Sequence, residues 1–101
     1  MVRHIILWKL KEDLDPTEKE NIKHGIKEGL EGLKGHIPGL IDIKVYTSRR
    51  LDSSNCDLML DSSFESESAL KGYSVHPAHV AVADTKVRPY TIQRTCLDLE
   101  I

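Results

Sequence analysis

The run His4-Ile-Ile-Leu-Trp-Lys-Leu10 leaves this chain few ways to fold. Its large and β-branched residues favour a strand, and a strand sends successive side chains to opposite faces. His4, Ile6, Trp8 and Leu10 fall on one face, Ile5 and Leu7 on the other. Neither face is polar throughout, so the strand must lie inside a sheet covered on both sides. The rest of the chain has to supply that cover.

A helix comes next. Asp15-Pro-Thr-Glu18 reads as a helix start, with an acidic N-cap, proline at the first position and glutamate at the third. Ile22, Ile26, Leu30 and Leu33 then recur at helical spacing. Gly25, Gly29 and Gly32 bracket this stripe; each costs roughly 1 kcal/mol relative to Ala unless the helix must approach the sheet or a ligand closely. Gly35 is expected to end the helix and Ile37-Pro-Gly39 to turn the chain. Leu40–Thr47 alternates as a strand, with Ile41, Ile43 and Val45 on one face. A polar loop follows, and Cys56–Ser62 reads as a third strand, with Cys56, Leu58 and Leu60 on one face. Ser66 caps a short helix ending at Tyr73, and Val87–Leu99 reads as a long final strand with Pro89 near its start. The order is β-α-β-β-α-β, with the second helical region broken in two. This is an α+β, ferredoxin-like arrangement: one domain spanning residues 1–101, with helices on one face of a four-stranded antiparallel sheet. The other face, carrying Ile5 and Leu7, is most simply buried against a second copy of the chain.

Charge and composition narrow the function. The formal net charge is −2 with both signs interspersed, so no basic footprint points to nucleic acid. No apolar run approaches the ~20 residues of a membrane span, and the first residues are too short an apolar segment for a signal peptide. Without a signal, the two cysteines, Cys56 and Cys96, read as reduced core thiols and the chain as cytoplasmic.

The densest chemistry lies in Tyr73-Ser-Val-His-Pro-Ala-His-Val-Ala-Val-Ala-Asp84. Proline is favoured in a first helical turn, so a helix starts at Pro77 with His76 as N-cap and Val75 stapled to Val80. His79 then shares a face with Val82 and Ala83, which is apolar, and points inward. Tyr73 lies over Ala69 and Leu70 of the preceding helix and faces the interior too. An inward tyrosine and an inward histidine from consecutive helices are placed to share one cavity, with the His4 face of the first strand as its other wall. His79 is the group suited to act as a general base and Tyr73 to polarise a carbonyl, each against the plainer reading of a core side chain. His24 and His36 look like solvent-side or turn residues. His76 and His79 have i,i+3 spacing, but one is the cap, and the cysteines have no CxxC spacing, so no metal is expected.

Together, Val-Arg-His-Ile-Ile-Leu-Trp-Lys at the N-terminus, Phe64-Glu-Ser-Glu-Ser-Ala-Leu and Tyr73-x-x-His-Pro-Ala-His-Val80 resemble the Dabb family of stress-responsive dimeric α/β-barrel domains. The resemblance spans the whole chain. It implies a homodimer whose two sheets form a barrel, with a small-molecule cavity between each sheet and its helices. A plant polyketide cyclase of this family closes its substrate by an aldol step without a cofactor. Its tyrosine and histidine correspond to Tyr73 and His79, its first-strand histidine to His4, and a pocket tryptophan position to Tyr90. A third-strand histidine of that cyclase falls on Leu58 here, and aromatic residues of its first helix fall near His24 and Gly25. The expected catalytic pair is therefore His79 and Tyr73, with His4, Ile6, Trp8, Leu60, Val82 and Tyr90 around the ligand. Three functions compete: a domain binding a small, partly apolar ligand, a cyclase-like enzyme using acid–base chemistry, and a structural dimer with no ligand.

Overall fold

A computed structural model describes residues 1–101. Four strands, β1 (Val2–Leu10), β2 (Leu40–Tyr46), β3 (Leu58–Phe64) and β4 (Thr91–Glu100), form one antiparallel sheet in the order β2-β3-β1-β4. The strand read first in the sequence is central. Its even-numbered residues from Val2 to Leu10 are buried under the helices, and its odd-numbered residues from Arg3 to Lys9 are half-buried on the outer face. Helix α1 (Pro16–Glu31) lies across the inner face, capped as expected by the Asp15 carboxylate accepting from the Glu18 N–H at 2.8 Å. Ile26, Leu30 and Leu33 are buried, with Ile22 packed against the core.

Helix α2 (Glu67–Val75) begins where the Ser66 hydroxyl accepts from the Ala69 N–H. Helix α3 (Pro77–Val82) begins at His76, whose Nδ1 accepts from the Ala78 N–H at 3.1 Å. Its helical path continues as a wider π turn over Ala83–Val87 and a 3₁₀ turn over Arg88–Tyr90.

Several expected boundaries move, each for a local reason. The α-helix stops at Glu31 with Gly32 as its cap, and the chain reaches Gly35 through turns. Ile41 is exposed because the β2–β3 register shifts between Leu40 and Asp42, taking it out of the alternation. The third strand runs from Leu58 rather than Cys56, and Phe64, at its far end, is fully buried. Val87–Tyr90 belongs to helical turns, and β4 starts only at Thr91; proline fits a first helical turn as well as a strand edge. Val75 is 75% exposed, so it staples nothing. Cys96 is exposed and Cys56 half-buried ahead of β3; both are free thiols but neither is a core one.

Two glycines set how closely the layers approach. Gly39 has φ +79°, and a β-carbon there would lie 2.4 Å from the Ala69 β-carbon, so the turn into β2 slides under α2 only with glycine present. Gly29 faces α3 and the π turn, not the sheet: an added β-carbon would meet Val82 Cγ1 and Lys86 Cδ at 2.9 Å. The edge strand β2 is sealed from above. Glu31 accepts from the Val45 N–H at 2.9 Å, and Lys27 donates to the Val45 carbonyl at 2.8 Å while pairing with Glu31.

Candidate functional site

The inner face of the sheet is not fully roofed. α1 and α2 cover β2, β3 and part of β1, while β4 remains largely exposed. Between this open side and the α3 region lies a half-open cavity of ≈ 580 Å³. Its size falls within the range of small-molecule sites. Ile6, Trp8, Leu30 and Leu60 give it an apolar floor; Ala83 and Val87 close one side.

The polar groups converge at one end. The Tyr73 and His79 rings lie 4.1 Å apart between centroids, and the His4 ring lies 6.1 Å from that of Tyr73. The helix break at His76–Pro77 creates this pairing, because Tyr73 lies in the last turn of α2 and His79 in the first turn of α3, on either side of the corner. Tyr73 is 1% exposed, and its hydroxyl is the one buried side-chain polar atom in the chain without a hydrogen-bond partner. Burial pushes its ionisation up strongly, only partly opposed by the charge of Arg94, so the phenol keeps its proton. It is a donor with nothing of the protein's own to donate to.

His79 is half-buried. Burial lowers its pKa from the ordinary 6.5, its contact with the Ser74 carbonyl opposes this, and the charges of Arg88 and Arg94 add to the lowering. Its Nδ1 lies 3.3 Å from the Ser74 oxygen, so Nδ1–H donates to that carbonyl and Nε2 is the ring's acceptor. His4 is held differently. Its Nδ1 donates to the Asp98 carboxylate across the β1–β4 pair, and the Ser62 hydroxyl donates to its backbone carbonyl at 3.0 Å. A protonated phenol, a neutral imidazole and a carboxylate-anchored imidazole thus face one cavity. Such a set can hydrogen-bond a ligand oxygen and accept a proton from a neighbouring carbon or hydroxyl.

The wall takes in Tyr73, His79, His4, Ile6, Trp8 and Leu60. Two expected residues lie outside it. Val82 packs toward Gly29 of α1, and Tyr90 sits in the 3₁₀ turn, where its carbonyl accepts from the Lys11 N–H. Sequence reasoning passed over Asp98, Ser74, Arg88 and Arg94. Arg94, Cys96 and Asp98 alternate on one face of β4, which was a usable signal. Only the β1–β4 register, setting Asp98 opposite His4 and Arg94 opposite Trp8, gives that signal meaning.

Fold and site together define a class: ferredoxin-like α+β proteins with a cavity between the sheet and its helices. Within that class the chain belongs to the Dabb family, the stress responsive A/B barrel domain, which it matches over residues 2–101. A dimeric ferredoxin-like protein of unknown function from Bacteroides fragilis is 30% identical with a TM-score of 0.91, the match covering 99% of this chain and 95% of that one. A Dabb family protein from Mesorhizobium loti superposes with a TM-score of 0.74 at 16% identity, covering 99% and 95%. A hydroxynitrile lyase from Passiflora edulis does so with a TM-score of 0.73 at 18% identity, covering 99% and 92%. No curated protein matches the chain in sequence. No helix is long and apolar enough to cross a membrane.

Proposed function

We propose that this chain is a homodimeric Dabb domain that binds a small, partly apolar molecule in the cavity beneath α3, through an oxygen that accepts from Tyr73. The observation carrying this reading is the buried Tyr73 hydroxyl, which has no partner of its own and belongs to a residue lining the same cavity as His79 and His4. Leaving a buried donor unpaired costs about 1–3 kcal/mol, and a ligand oxygen would recover part of that. The apolar floor fits a ring or short chain. The dimeric Bacteroides relative supports the assembly.

A second reading is favoured by the neutral His79 stacked on Tyr73. The phenol would polarise a ligand carbonyl while Nε2 of His79 takes a proton from the adjacent carbon, as a cofactor-independent, polyketide cyclase-like enzyme requires. Fold alone does not choose between these readings, since one fold hosts many functions. A structural dimer without ligand would leave the ≈ 580 Å³ cavity unused.

Trp8 is the only tryptophan and lies on the cavity wall, so its emission reports occupancy. Titration with β-keto and aromatic acid analogues should change that emission saturably. His79→Ala should weaken the response about tenfold, in line with losing one ligand hydrogen bond, and His24→Ala should leave it alone. Equal responses from the two variants would remove His79 from the site. Turnover of a β-keto substrate by the wild type, lost in His79→Ala, would select the enzyme; binding without turnover would select the binding domain.

A further inference from the structure

The charges around the cavity are one-sided. Its lining includes two guanidinium groups, Arg88 and Arg94, and no carboxylate. Arg88 pairs with Asp84 one turn earlier, so its charge is largely balanced. Arg94 has no carboxylate partner in any ion pair of the chain. It stands on β4 opposite Trp8 and is exposed, while the unpartnered Tyr73 hydroxyl, of another lining residue, is buried. The nearby carboxylate of Asp98 is already engaged by His4.

We propose that the ligand is an organic acid, held with its carboxylate on Arg94 at the cavity mouth, its apolar body over Trp8 and Ile6, and a second oxygen on Tyr73. This rests on the cavity-binding reading above and names the class of molecule. A neutral ligand would leave the exposed Arg94 guanidinium, which has no carboxylate partner in the chain, without a counter-charge. A cationic one would meet two guanidinium groups and nothing acidic. A carboxylate matches the fork of guanidinium donors in geometry as well as in charge. Arg94 also fixes direction: with the acid group at the mouth, the end of the molecule nearest Tyr73 and His79 is its far, non-ionic end.

The experiment compares acids with their neutral amides. 3-Phenylpropionate, 3-oxo-3-phenylpropionate and octanoate, each beside its primary amide, are titrated calorimetrically into the intact dimeric protein and into Arg94→Gln and Arg94→Lys. For at least one pair, the acid should bind about tenfold or more tightly than its amide, as charge-assisted bonds exceed neutral ones. Arg94→Gln should erase that preference, bringing the acid's affinity down to that of its amide. Arg94→Lys should keep part of it, since the charge survives without the fork. Acid binding should also weaken with added salt while amide binding does not. Both substitutions lie on an exposed strand position, and an unchanged thermal midpoint will show that the fold is intact. Amides binding as well as acids, or an acid preference that survives Arg94→Gln, would overturn the inference and leave the cavity reading standing. No binding of any acid or amide would overturn both.

Discussion

Tyr73 separates stability from function at the scale of one residue. Its ring is buried between Phe64 and His79, with centroids 5.0 and 4.1 Å away, so the ring itself is core. Its hydroxyl is not part of that packing, because nothing in the chain pairs with it. A buried, unpaired hydroxyl is a cost that Phe does not carry, so Tyr73→Phe should leave stability unchanged or raise it by about 1 kcal/mol. The same substitution should weaken ligand binding, read by Trp8, about tenfold, as loss of one ligand hydrogen bond requires. Chemical denaturation and the fluorescence titration, run on one preparation, measure both. A loss of stability above about 1 kcal/mol would mean that the hydroxyl has a structural partner, and the case for a ligand contact would fall with it. The inward placement of Tyr73 and His79 was legible from the sequence, because caps and helical spacing are local. The partnership of His4 with Asp98 was not: the two residues are 94 positions apart and meet only through strand register.

At the scale of elements, the glycines of α1 answer differently from what their shared spacing suggests. An added β-carbon at Gly25 meets nothing within 4 Å, whereas at Gly29 it would come within 2.9 Å of Val82 Cγ1. Valine is stiff about its first side-chain torsion and cannot swing away cheaply. Gly25→Ala should therefore stabilise by up to about 1 kcal/mol, the ordinary helix preference. Gly29→Ala should destabilise by about 1–2 kcal/mol, because overpacking outweighs the same gain. Urea melts of the two variants check this, and equal midpoints would show that α1 and α3 can part without cost. Helix starts were the most legible elements, since Asp15, Ser66 and His76 each cap through a bond spanning only two or three residues. Strand ends were less legible. Val87–Tyr90 has the composition of a strand yet winds into helical turns, and Ile41 leaves its alternation at a register shift. Both follow from contacts made across the fold.

For the whole molecule, the outer face of the sheet is the unfinished part. Ile5, Leu7 and Met59 are half-buried there, and Leu97, opposite Ile5 on β4, is 58% exposed. Arg3 and Asp61 pair beside this patch, leaving its centre apolar. The central strand demands such a cover on sequence grounds alone, since Ile5 and Leu7 are apolar and share a face by simple alternation. What the sequence could not convey is that β4 contributes Leu97 to the same patch, because its register against β1 is a long-range property. A two-fold pairing of these faces would bury the patch against itself and leave the cavity on the opposite side of each sheet open. The wild-type protein should sediment at micromolar concentration with about twice the 11.4 kDa chain mass. Leu97→Asp places a charge beside Ile5 within that patch, where pairing would desolvate it, and should yield a folded monomer. Leu51→Asp, at a position 73% exposed in a loop, should remain dimeric. The monomer should keep its secondary structure by circular dichroism, because Leu97 is not part of the protomer's own core. A wild-type monomer, or a Leu97→Asp protein that still sediments as a dimer, would place the assembly on some other surface.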